Sequence, residues 1–157
     1  MVMAKSDHGD DHHAHKNLIA GFIGVTTEDR RDVGLTLGVD YTRWVTDSFG
    51  VGVGIERVLG DFDFTVLAIP FSYRINHRWK VFAGPGWDRA DHDNPENPKN
   101  PKSRSGDSSS DHTEFLVRVG VEYEIPMDGY ELAPKLMLDV IDGDVVVIAG
   151  LSVGFGF

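Results

Sequence analysis

The sequence contains no cysteine, which removes disulfides, thiolate metal centres and cysteine nucleophiles together. Long apolar runs are also missing. None approaches the roughly 20 residues that a membrane-crossing helix needs. Positive charge is scarce: 15 lysines and arginines against 25 acids leave a formal net charge of −10. That sign is wrong for a phosphate backbone and excludes nucleic acid as a partner. No secretory leader is recognisable, because Met1 to Lys5 carries a lysine with no apolar segment behind it. Met1 therefore reads as a start codon placed before a mature sequence. What remains is a chain of 157 residues, 41% apolar and 10% aromatic, which suffices for one ordered domain. With no disulfides, its fold must be held by a hydrogen-bond ladder.

The ladder is written as alternation. From Val145 to Phe157, the residues Val145, Val147, Ala149, Leu151, Val153, Phe155 and Phe157 share one face of a strand, opposite Gly150, Ser152, Gly154 and Gly156. Val33 to Thr42 sets Val33, Leu35, Leu37, Val39 and Tyr41 against Gly34, Thr36, Gly38, Asp40 and Thr42. Phe49 to Arg57 repeats the scheme with glycine at every second residue from Gly50 to Gly54. Further strands are expected over Asn17 to Thr26, Phe64 to Ile75, Trp79 to Asp88, Thr113 to Ile125 and Tyr130 to Ile141. The total is about eight, each near the 9 to 11 tilted residues that cross a bilayer. A slightly negative mean hydropathy does not oppose this, since alternation averages to near neutral.

The connections carry their own pattern. Thr46-Asp47-Ser48, Asn76-His77-Arg78 and Met127-Asp128-Gly129 read as tight turns at every second connection. The others are Thr27 to Asp32, Gly60 to Asp63, Arg89 to His112 and the short Asp142-Gly143-Asp144. Short turns on one rim and generally longer loops on the other, together with the terminal Leu151-Ser152-Val153-Gly154-Phe155-Gly156-Phe157, resemble the small eight-stranded bacterial outer-membrane barrels of the OmpA/OmpX-like class. The resemblance implies an all-β fold, an eight-stranded antiparallel up-and-down transmembrane β-barrel over 17–157. A His/Asp-rich tail over 1–16 precedes it, and a long mobile loop covers 89–112. It also implies location in the outer membrane, contact with lipid and lipopolysaccharide, a monomer, and Phe155 and Phe157 as the signal read by the outer-membrane assembly machinery.

The soluble alternative is a lipocalin-like ligand-binding barrel, which turns its apolar face inward. Asp40, Glu56, Arg74, Lys80, Arg118, Glu122, Glu124, Glu131, Lys135 and Asp139 all lie opposite the apolar set. In a membrane barrel they point into a lumen just wide enough for side chains to fill, and must pair there. In a soluble barrel they are a solvated surface. Glycines on the same face favour the crowded lumen. Trp44, Tyr73, Trp79 and Tyr123 near one rim and Trp87 and Phe115 near the other suit interfacial aromatic girdles.

Other candidate sites are weaker. His8, His12, His13 and His15 lie among aspartates and offer ligands that suit zinc, nickel or copper, although a solvated tail is the simpler reading. Asp91, His92, Asp111 and His112, at the feet of the long loop, are a second candidate for a divalent cation. In that loop Lys99, Lys102 and Arg104 suit lipopolysaccharide phosphates. No other cofactor is expected. A lipid-modifying hydrolase or acyltransferase would need a nucleophile and a base, and Ser109, Ser110 and His112 are the nearest set, in a segment too mobile to hold them. The expectation is a non-enzymatic barrel with a structural or surface-interaction role and a filled interior. A narrow porin-like channel for small solutes or ions is the alternative.

Overall fold

Ten antiparallel strands form one sheet in the computed structural model, which describes residues 16–28, 32–60, 64–90 and 113–157. They are β1 (Asn17–Glu28), β2 (Asp32–Trp44), β3 (Phe49–Gly60), β4 (Phe64–Ala68), β5 (Phe71–Arg74), β6 (Trp79–Ala90), β7 (Thr113–Tyr123), β8 (Ile125–Pro126), β9 (Glu131–Ile141) and β10 (Asp144–Gly156). β4 and β5 both lie between β3 and β6, β7 and β8 both pair with β9, the other sequence neighbours pair directly, and β10 pairs with β1, so the sheet closes on itself. The ten segments are eight staves. β4 and β5 form one, interrupted at Ile69 and Pro70, while β7 and β8 form another, interrupted at Glu124.

The first interruption has a local cause. Pro70 has no N–H to give to the ladder, yet its carbonyl still accepts from the Gly52 N–H at 2.9 Å and Ile69 N–H still reaches the Pro85 carbonyl at 2.9 Å. The stave is interrupted without losing its neighbours. Opposite it stands Gly84, where a Cβ would come within 2.9 Å of the Pro70 Cα, so the close approach needs glycine.

Register fixes the shape. Starting at Asn17 and stepping from strand to strand through Arg43, Val51, Phe71, Ala83, Val119, Leu138 and Val147 returns to the first strand at Thr27, ten residues from the start. With eight staves this stagger implies a tilt of about 40° and an interior that side chains can fill.

Turn chemistry closes the staves. Thr46 Oγ1 accepts the Phe49 N–H at 2.9 Å, and Asn76 Oδ1 accepts those of Arg78 and Trp79, each at 2.9 Å. These two turns and the one at Met127–Tyr130 lie on the same rim as Asn17 and Phe157, whose backbones bond to each other. On the opposite rim Asp142 and Gly143, with φ of 48° and 96°, form a two-residue turn of the I′ kind favoured by Asp-Gly. That explains why this connection is so short: the hairpin needs no more.

Faces follow the alternation. Ile23, Val39, Ile55, Leu67, Phe71, Val119 and Leu138 point outward and are exposed, whereas Glu56, Lys80, Arg118 and Asp139 are buried within the barrel. A lipocalin-like arrangement, with the apolar face inside, is therefore not this fold. Strands also run further than the alternation suggested: β3 continues beyond Arg57 to Gly60 and β6 beyond Asp88 to Ala90.

Candidate functional site: the lumen and the outward wall

The lumen is built by register rather than by sequence proximity. β6 sets Lys80 beside Glu122 of β7, and β7 sets Arg118 beside Asp139 of β9. Arg118 donates through Nε and Nη2 to the two carboxylate oxygens of Asp139, both at 2.7 Å, and its Nη1 lies 2.8 Å from Glu56 Oε1. Lys80 Nζ meets Glu122 at 3.0 Å and Glu124 at 3.5 Å. Lys135 pairs with Asp40, approaches Glu122 at 3.9 Å, and sits 5.3 and 5.4 Å from the ring centres of Phe22 and Phe82. Arg74 Nε is 3.6 Å from Glu124.

Every one of the ten charges expected inside points into the barrel, and all four cations meet a carboxylate. Such pairing is what allows charges to remain buried, since an isolated one would cost several kcal/mol. The remaining acid, Glu131, lies beside Glu122 and Glu124 at the short-turn end, with ligand atoms of the three within 4.8 Å of one another.

Toward the opposite end of the lumen lies an apolar layer. Val58, Val66, Leu116, Val146 and Ile148 all point inward and are at most 5% exposed. Val146 and Ile148 pack with Phe22, Phe82 and Met137 in one cluster. Thr26 and Thr36 hydrogen-bond to each other beside this layer. The internal cavity around Asp40, Lys80, Phe82, Arg118 and Lys135 measures only about 30 Å³, room for roughly one water. A continuous aqueous path would have to pass both the ion network and the apolar layer.

One aromatic departs from the expectation. Trp44 is buried at 6% exposure, and the Arg74 guanidinium lies 3.5 Å above its ring. It belongs to the lumen and not to an interfacial girdle, because its position on β2 shares the parity of Asp40 and Thr42. Tyr73 and Trp79 project outward near the short-turn rim, where Trp79 meets Tyr123 edge-on at 5.0 Å and Arg78 donates to the Tyr123 hydroxyl at 2.9 Å. Trp87 and Phe115 do so near the other rim, edge-on at 6.2 Å. Phe155 and Phe157 are outward and exposed, with Phe155 against Tyr130 at 6.3 Å.

The histidine tail with His8, His12, His13 and His15, the loop-foot set of Asp91, His92, Asp111 and His112, the basic loop residues Lys99, Lys102 and Arg104, and Ser109 and Ser110 all lie outside the described residues.

Two features went unread in the sequence. The alternation from Val145 to Phe157 sets only Gly150, Ser152, Gly154 and Gly156 on the inner face, although Val146 and Ile148 share their parity and are buried there. Arg57 and Arg89 face outward, in step with Ile55 and Trp87, and the same parity count would have found them.

No family model matches the chain, and no curated protein matches it. Solved structures do. The N-terminal β-barrel domain of Pseudomonas aeruginosa OprF superposes with a TM-score of 0.61 at 14% identity, covering 91% of this chain and 98% of that one. The Yersinia pestis outer membrane protein Ail in a phospholipid bilayer nanodisc gives 0.53 at 16% identity, covering 91% and 99%. A de novo designed transmembrane β-barrel gives 0.55 at 11% identity, covering 87% and 94%. At these identities the likeness is one of fold: the chain has the architecture of eight-stranded outer-membrane barrels, over nearly the whole length of each.

Proposed function

We propose that this chain is a monomeric barrel of the bacterial outer membrane with a structural or surface-interaction role and no open pore. The observation that carries the reading is the combination of an outward apolar wall with a lumen whose four cations are all paired and whose cavity is about 30 Å³. An apolar wall of this extent is unfavourable in water, whereas lipid removes the penalty. Closure by β1 and β10 leaves no sheet edge to recruit a second copy, which suits a monomer. By the asymmetry of such barrels, the rim with the three tight turns faces the periplasm and the rim carrying the connection 91–112 faces outside. The outward aromatics Phe155 and Phe157 on the closing strand are the elements an assembly machinery would read.

Folding into lipid vesicles followed by gel electrophoresis without and with heating tests the membrane assignment. The folded barrel should migrate differently from the heated chain. Unchanged migration, or a monodisperse chain that needs no detergent, contradicts it. Planar-bilayer recording tests the filled interior, and sustained single-channel steps from the unaltered chain would favour the channel instead.

A further inference from the structure

Of the ten charges inside the barrel six are acids and four are bases, which leaves a formal excess of two negative charges. Part of that excess is local. Arg118 is taken by Asp139 and Glu56, and Lys135 lies against Asp40, so Lys80 and Arg74 are left facing Glu122, Glu124 and Glu131 at the short-turn end.

Register brings these three acids together. Glu122 belongs to β7, and Glu124 occupies the break between β7 and β8, where its N–H donates to the Arg78 carbonyl at 2.6 Å. Glu131 opens β9, paired with Pro126 on one side and Gly154 on the other. A Cβ on Gly154 would lie 2.8 Å from Glu131 Cγ and 3.0 Å from its Oε1, so the glutamate lies across the glycine and needs it. One carboxylate oxygen from each acid then falls within 4.8 Å of the others.

Two of the three are poorly satisfied. Glu124 is only 5% exposed, yet its Oε1 accepts no hydrogen bond; the Lys80 ammonium stands 3.5 Å away, and Arg74 Nε is 3.6 Å from the other oxygen. Lys80 gives its hydrogen bond to Glu122 instead. Glu131 makes no ion pair among the described residues. A buried acceptor left without a donor is unfavourable unless something supplies the missing positive partner.

We infer that Glu122, Glu124 and Glu131 form a site for one divalent cation of the calcium class at the short-turn end of the lumen. Calcium binds oxygen at about 2.3–2.6 Å, so two ligands of one ion stand at most about 5 Å apart, a limit the 4.8 Å spread meets. Magnesium binds at about 2.0–2.1 Å and demands a strict octahedron, which would need these oxygens closer together. Three carboxylates offer up to about six oxygens, and water on the partly exposed side of Glu131 completes the shell. The charge of the ion matches the excess inside the barrel. Lys80 and Arg74 stay close by and oppose it, which sets the affinity in the weak range of about 10⁻⁴ to 10⁻³ M. Bound there, the ion joins β7 to β9 where β8 is only two residues long.

The test uses the full chain folded in zwitterionic detergent, with terbium as a luminescent substitute for calcium. Trp44, whose ring lies under the Arg74 that reaches Glu124, is placed to sensitise the bound ion. Tryptophan excitation should give terbium emission that calcium displaces at about 10⁻⁴ to 10⁻³ M and magnesium about tenfold less well. E131Q should weaken calcium binding by at least about tenfold, while E114Q, at the opposite end of β7, stays within about twofold. G154A keeps all three carboxylates but crowds Glu131 and should weaken binding severalfold. It carries the test if E131Q shows no heat-modifiable migration. Emission that calcium does not displace, unchanged affinity in the variant that carries the test, or an equal loss in E114Q overturns the site. A cluster that takes up a proton instead gives no calcium-sensitive emission and overturns it equally.

Discussion

Arg118 and Asp139 face each other across neighbouring strands inside the barrel, joined by two parallel hydrogen bonds of 2.7 Å, while a third arginine nitrogen lies 2.8 Å from Glu56. All three residues are at most 4% exposed. The guanidinium thus bridges two carboxylates from opposite sides of the lumen and ties three staves together.

Removing that cation leaves two buried carboxylates without it. Arg118→Met should lower stability by about 3–5 kcal/mol, the usual consequence of breaking a buried ion pair from one side. Combining it with Asp139→Leu and Glu56→Met should recover most of the loss, since no uncompensated charge then remains. Urea unfolding in vesicles, followed by tryptophan fluorescence, measures both. A neutral single substitution would mean that the network is not formed.

Val119 and Gly120 are adjacent in β7 and face opposite environments. Val119→Asp puts a charge in the lipid-facing wall and should cost about 2 kcal/mol near mid-membrane, reducing the folded yield in bilayers. Gly120→Val acts through packing, because a side chain there runs into the Phe82 ring and comes within 2.9 Å of the Leu136 carbonyl. The cost should be about 1–3 kcal/mol. Phe82→Ala should relieve part of it for Gly120→Val and none for Val119→Asp, and a rescue of both would contradict the division of faces.

The apolar layer should act as a barrier. Replacing Val58, Val66 and Leu116 with glycine removes three inward side chains from one level of the lumen. The triple variant should raise ion flux in planar bilayers relative to the unaltered chain. An unchanged current, with heat-modifiable migration retained, would place the barrier at the ion network alone.

Gly143 holds a φ of 96° in the turn between β9 and β10. Gly143→Val should destabilise by about 1–2 kcal/mol, the cost of a left-handed conformation for an L side chain. Equilibrium unfolding checks this, and no loss would mean that the turn is of another kind.

Much of the fold was legible because lipid and lumen impose a period of two on every strand, and a run such as Val33 to Thr42 states that period residue by residue. Breaks were less visible. Pro70 interrupts a stave that the alternation carries straight through, since the pattern records faces and not hydrogen bonds. The composition of the lumen was legible too, but not its pairing: Arg118 and Asp139 are 21 residues apart and meet only through the β7–β9 register. Trp44 was misjudged because aromatic character near a strand end suggests an interface, whereas its parity with Asp40 turns it inward beneath Arg74. Arg89 reads as the start of the long connection because charge at a strand end usually marks a loop, whereas β6 continues to Ala90.

The central claim is that the two faces of each strand meet lipid and lumen respectively, and the absence of native cysteine makes it directly measurable. Single cysteines introduced in turn at Val117, Val119, Val121, Leu136 and Leu138, and at Ser72, Gly120, Met137 and Ser152, can each carry a small fluorophore in vesicles containing acyl-brominated lipid. The account predicts strong quenching at the first five positions and little at the other four among those variants that fold. Quenching that fails to alternate along β7 and β9, or that is stronger at the inward set, would contradict it.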